Sequence, residues 1–110
     1  MSEAYGCDYC LAAHTLLGKK AGLTEEDTLT IRRNVSTKPG IGALVRFVNA
    51  ALHPRARVSD AELEALRGAG YNDAQIAETV QVIAQTVFTN LFNRVHKTAL
   101  DFPAAPALWA

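Results

Sequence analysis

NDAQIAETVQVIAQTVFTNLFNRV, residues 72–95, is longer than an ordinary strand and spaces its apolar residues as a helix does. Ile76, Val80, Ile83, Val87, Leu91 and Val95 recur every three or four positions and so share one face. Asn72 followed by Gln75 supplies a side-chain cap at the start. Phe88 and Phe92 widen the stripe beyond what one surface helix needs. Two readings of that width stand side by side: a central core helix, or a helix that touches another subunit.

Working outward, the rest of the chain also reads as helices. Ser59 with Glu62 forms a capping-box pattern for a short helix through Leu63 and Leu66 to Arg67, broken by Gly68 and Gly70. Ahead of it, Ile41, Leu44, Val45, Val48 and Leu52 fall at helical spacing, in a helix that must end before Pro54. STKPG, residues 36–40, reads as a loop. Thr24 caps a helix running to about Arg33, with Glu25, Glu26 and Asp27 placed favourably against the N-terminal dipole. The first helix covers about Asp8 to Ala21, between the breakers Gly6 and Gly22, and carries Leu11, Ala12, Leu16 and Leu17. From Asp101 the tail DFPAAPALWA is non-helical, yet Leu108 and Trp109 call for a docking surface. No segment alternates with period two. The expectation is an all-α fold of about five helices.

Composition narrows the function classes. A chain of 110 residues suits one compact domain. Its 49% hydrophobic and 20% charged residues are ordinary for a globular protein. A formal net charge of zero argues against nucleic-acid and polybasic membrane binding, both of which need a cationic surface. No apolar run approaches the roughly 20 residues that span a bilayer. The N-terminus lacks a basic region followed by an apolar block, so the expected compartment is the cytoplasm. There a persistent structural disulfide is rare, and a close cysteine pair is more often catalytic or metal-binding.

Such a pair is present. GCDYCLAAH, residues 6–14, holds the chain's two cysteines and a histidine four residues later. On a continuous helix, Cys7, Cys10 and His14 would fall within an arc of about 60° and converge on one point. Covalent haem attachment requires the histidine directly after the second cysteine, where Leu11 stands. A structural zinc site needs four ligands, and His53 and His96 would have to complete it from distant positions. A dithiol redox pair needs only what the stretch contains: two thiols one turn apart, a helix N-terminus that favours thiolate, and a histidine able to move a proton. Two buried cysteines and a hydrogen-bonded core histidine are the bland alternative. No cofactor or metal is expected.

GCDYCLAAH followed by GLTEEDTLTIRR resembles the AhpD-like alkylhydroperoxidase branch of the carboxymuconolactone decarboxylase family, whose signature is C-x-x-C-x-x-x-H at the start of a helix. The resemblance continues through IGALVRFVNAALHPRARVSDAELEALRGAGYNDAQIAETV to TNLFNRVHKTALDFP, closest to the peroxidase-related members. It implies that residues 1–101 are an AhpD-like helical domain truncated at its N-terminus, with 102–110 an extended tail, assembling as a trimer or hexamer. It implies a thiol-dependent peroxidase or disulfide reductase acting on hydroperoxides and recharged by a thiol or a lipoylated protein. Cys10 is then the peroxidatic thiol, Cys7 resolves it as a disulfide, and His14 relays the proton. Dipole proximity by itself favours Cys7 as the more acidic thiol.

Two departures stand out. Tyr9 occupies the place of a histidine in the best-studied relatives and is a candidate accessory group. The family's glutamate, about a dozen residues before the first cysteine, has no counterpart here; Glu3 lies only four residues away. Either the chain starts further upstream or the relay is incomplete. An oligomeric redox-sensing or binding protein without turnover is therefore the second expectation. A decarboxylase or lactone-handling enzyme is the third, because those members lack the cysteines.

Overall fold

The computed structural model describes residues 1–36, 38–55 and 57–109. Among them are six α-helices and no strand: α1 (Ser2–Tyr5), α2 (Asp8–Lys20), α3 (Glu25–Arg32), α4 (Pro39–Leu52), α5 (Asp60–Gly68) and α6 (Asp73–His96). The all-α class stands. The additional helix is α1, a single turn, too short for any periodicity to register. Pro39 and Gly40, expected in a loop, form the first turn of α4. Proline at the first helical position has its φ preset and lacks an N–H that would go unpaired there anyway. Thr37, in the same expected loop, lies outside the described residues.

Three helices begin with reciprocal caps. Thr24 Oγ1 accepts the Asp27 N–H at 3.1 Å while Asp27 Oδ2 accepts the Thr24 N–H at 2.9 Å. Ser59 with Glu62 and Asn72 with Gln75 repeat the arrangement. Each box satisfies two N–H groups that the helix leaves orphaned.

The helix ends are just as regular. Gly6, Gly22, Asn34, Gly70 and Lys97 all adopt positive φ. At each, the next residue's N–H reaches back five positions, as Cys7 does to Ser2 O at 3.2 Å and Thr98 to Asn93 O at 3.1 Å. This is the Schellman closure, which wants glycine or asparagine in its left-handed position. Four of the five ends comply. Lys97 does not.

The core is small. Ala43 and Phe47 of α4 and Leu66 of α5 are buried, with Leu44, Val48, Val58, Leu63, Tyr71, Ile76 and Ile83 packed around them. The first half of α6 closes this cluster through Ile76 and Ile83. Its second half behaves otherwise. Phe88 is 66% exposed, Phe92 50% and Val95 74%. Within one chain, then, α6 is not the central core helix that its apolar stripe allowed. Phe88 and Phe92 pair on the surface with centroids 6.0 Å apart. The residue of α6 that is fully buried is Asn90.

The tail docks on α3 through its backbone. Arg32 Nη1 donates to Pro106 O at 2.6 Å, and Arg33 Nη2 donates to Leu108 O at 3.0 Å. The Arg33 guanidinium also lies 5.5 Å from the Trp109 ring centroid. Trp109 itself stays 76% exposed, so guanidinium rather than an apolar pocket receives it.

Candidate redox site

Gly6 builds the site. Its left-handed conformation (φ 61°) ends α1 and turns the chain, so that Cys7 leaves helical geometry at φ −101°, ψ 98° and becomes the N-cap of α2. Cys7 Sγ accepts the Cys10 N–H at 3.2 Å. A sulfur thus fills a place usually taken by a Ser, Thr, Asp or Asn oxygen. Cys10 sits in the first turn of α2, and the two sulfurs are joined as a disulfide, with Cα atoms 5.3 Å apart. Both cysteines are buried, at 2% and 3% exposure.

The far side of the bridge is polar. Cys10 Sγ accepts the Asn93 Nδ2–H at 3.5 Å and lies 3.8 Å from Thr89 O. The same Asn93 amide donates to Thr89 O at 2.9 Å. Asn90 lies between these two residues in the chain; its amide donates to Thr86 O at 2.8 Å, and its buried Oδ1 has no partner among the described residues. The second half of α6 therefore buries Asn90, keeps Thr86, Thr89 and Asn93 half-buried beside it, and turns its aromatic residues outward. An apolar stripe is easily read from sequence; a polar strip serving a disulfide is not. Its one advance signal was the asparagines at 90 and 93, poor helix formers placed deep inside a long helix.

Cys7 opens onto a hollow of about 300 Å³ that it shares with Asp8, Tyr9, Asn93, Arg94 and Lys97. Tyr9 packs on Phe102 with centroids 5.5 Å apart. Burial, then the neighbouring Asp101 carboxylate, holds its phenol above the ordinary value, so it stays protonated at neutral pH.

His14 faces elsewhere. It lines a separate, mostly apolar groove of about 580 Å³ with Leu11, Thr15, Ile31, Val48 and Asn49 among its walls. The groove and the Cys7 hollow have no lining residue in common. Among the described residues no hydrogen bond joins His14 to either sulfur. Cys7, as the N-cap, lies outside the helix, so the three side chains do not share one continuous helical face; Cys10 and His14 remain one turn apart on α2. Crowding within the groove, then the N-terminal ammonium, lowers the His14 pKa below 6.5 and favours the neutral imidazole. Of the other histidines, His53 Nδ1 accepts the Arg55 N–H and His96 stacks 4.3 Å from Phe92. No helix is long and apolar enough to cross a membrane among the described residues.

No protein-family profile, curated protein or solved structure matches the chain. The AhpD-like likeness thus stands on the sequence blocks alone, and the chemistry of the site on its geometry.

Proposed function

We propose that the protein is a thiol-dependent peroxidase or disulfide reductase of the AhpD-like type, working through Cys7 and Cys10. The observation that carries this reading is the disulfide between them, capped by a helix N–H on one sulfur and touched by a side-chain amide on the other. Both donors stabilise negative charge on sulfur, which the reduced pair needs in order to react. The Cys10 thiolate attacks the hydroperoxide, leaving a sulfenic acid on Cys10 and releasing the alcohol. The Cys7 thiolate then attacks that sulfur, expelling hydroxide and forming the disulfide. Asn93, which touches Cys10 and lines the Cys7 hollow, steadies Cys10 during the first step, and Tyr9, a neutral phenol in that hollow, is the accessory proton donor to the hydroxide expelled as Cys7 closes the bridge. His14, one turn beyond Cys10 on α2, is the candidate proton relay. The exposed Phe88, Phe92 and Val95 support assembly into a homo-oligomer.

A second reading is favoured by the deep burial of both cysteines and by the separate groove that holds His14. In it the pair senses oxidants and forms the bridge without turnover. Thiol titration before and after one equivalent of peroxide, followed by turnover with dihydrolipoamide, separates the two. Loss of both thiols with continued peroxide consumption supports the enzyme; loss without turnover supports the sensor. Peroxide-inert thiols sink both. Within the enzyme reading, Cys7→Ser should leave a trappable sulfenic acid on Cys10. Finding that species only in Cys10→Ser reverses the two roles.

A further inference from the structure

The geometry points to a subsite for the electron donor: Arg94 and Lys97, which line one hollow with Cys7, bind the carboxylate of a short anionic thiol that opens the disulfide at Cys7. This rests on the reading of Cys7 and Cys10 as a cycling pair and names the class of reductant that recharges it.

Three observations carry it. First, the two cysteines, though both almost fully covered, border different surroundings. Cys7 lines the 300 Å³ hollow, whereas Cys10 does not and is held by Asn93 and the Thr89 carbonyl. A volume of that size fits a small molecule rather than a protein segment. Second, Arg94 and Lys97 line the same hollow, and neither forms a salt bridge among the described residues. Among the described residues Asp8 is the one carboxylate lining it, so the cations outnumber the anion by two to one. Third, Lys97 is misplaced for structure alone. Cations near a helix C-terminus suit the dipole, which accounts for Arg94 and His96. The dipole does not account for a lysine in the left-handed closing position, where the chain's other four such ends use glycine or asparagine. Backbone strain of this kind gathers at sites of function.

The step balances as thiol–disulfide exchange. The donor thiolate attacks Cys7 Sγ, a donor-sulfur–Cys7 bond forms, and the Cys7–Cys10 bond breaks. Its electron pair goes to Cys10 Sγ, the thiolate that Asn93 receives. A second donor thiolate then attacks the donor sulfur of the mixed disulfide, releasing the oxidised donor and the Cys7 thiolate. Two donor thiols are oxidised, one protein disulfide is reduced, and the two donor protons end on the pair.

The test uses the whole chain, oxidised with diamide, and no peroxide, so that its failure is distinct from a failure of peroxidase turnover. Reduction rates are measured with 3-mercaptopropionate, 2-mercaptoethanol and cysteamine, each expressed per thiolate present. The expected order is anionic, then neutral, then cationic thiol, with the first at least about threefold faster than the second, from two partly exposed charge contacts. Raising the salt concentration should shrink that ratio. Arg94→Gln with Lys97→Gly should bring it to near one, while Lys97→Arg keeps it. Alkylation during the reaction should locate the mixed disulfide on Cys7. A ratio below threefold in the unmodified chain, its persistence in the double variant, or the adduct on Cys10 overturns the proposal. Failure of diamide to form the bridge overturns it together with the proposed function.

Discussion

Replacing Lys97 by glycine should make the protein more stable, although it deletes a charge at a helix end. Lys97 holds φ 50°, ψ 47°, where a side chain with a Cβ is strained by about 1–2 kcal/mol. Glycine escapes that strain but loses more backbone freedom on folding, by roughly 0.5–1 kcal/mol relative to alanine. Loss of the charge–dipole attraction removes a further few tenths of a kcal/mol at an exposed site. The net gain is about 0.5 kcal/mol, with 1 kcal/mol as a rough upper value. For a chain of 110 residues, unfolding entropy of about 2.1 cal/mol/K per residue converts this to a rise in Tm of roughly 2–4 °C. Lys97→Ala isolates the backbone effect: it also deletes the charge but keeps the Cβ, so it should be no more stable than the unmodified chain. Lys97→Asn should fall between the two. Thermal unfolding followed by far-UV circular dichroism reads all three. A glycine variant no more stable than the alanine variant would refute the assignment of strain to this residue.

The apolar surface of α6 predicts assembly. Covering the exposed parts of Phe88 and Phe92 is worth at most about 5 kcal/mol per protomer, and Phe88→Ser with Phe92→Ser should yield monomers by light scattering. A monomeric unmodified chain at micromolar concentration refutes this. Asp27, held down to about 2 by Lys38 and by both Thr24 donors, contributes stability that is present above its ordinary 3.8 and lost as pH falls through about 2. Asp27→Asn should remove this dependence from acid unfolding curves, and an unchanged curve would exclude the capping box as its source. His14, with its pKa lowered in the fold, binds its proton more readily when unfolded, so it should make the fold less stable as pH drops below 6.5. His14→Gln should flatten that slope, and a slope that persists assigns it elsewhere.

The starts of α3, α5 and α6 were legible because caps are local. Ser59–Glu62 and Asn72–Gln75 could be read as boxes from spacing alone, and both form. Pro54 marked the end of α4 for an equally local reason. What a helix faces was less legible. Ile76 and Ile83 reach the core as their spacing suggested, yet Phe88 and Phe92 do not, since burial is decided by the neighbour and not by the stripe. The cysteine pair was legible for the same local reason, as two thiols three residues apart that can close a bridge. Its surroundings were not: Asn93 and Thr89 lie 83 and 79 residues from Cys10, a distance no periodicity spans. The angular arithmetic that grouped Cys7 with Cys10 and His14 assumed an unbroken helix, and Gly6 breaks the chain one residue before Cys7, leaving only Cys10 and His14 on α2.

The seat of Trp109 decides what an optical signal from this protein means. It is the single tryptophan of the chain, and it stands against Arg33 at the end of the tail, remote in sequence from the Ala43, Phe47 and Leu66 core. Intrinsic fluorescence will therefore report the release of residues 102–109 from α3. A denaturation curve recorded at tryptophan wavelengths can finish while the helices are still packed, and a ligand that frees the tail can mimic unfolding. Tyr71, packed on the core with its hydroxyl donating to Gly40 O at 3.3 Å, is the chromophore that follows the interior. Placing a tryptophan there and removing Trp109 would convert a tail sensor into a core sensor.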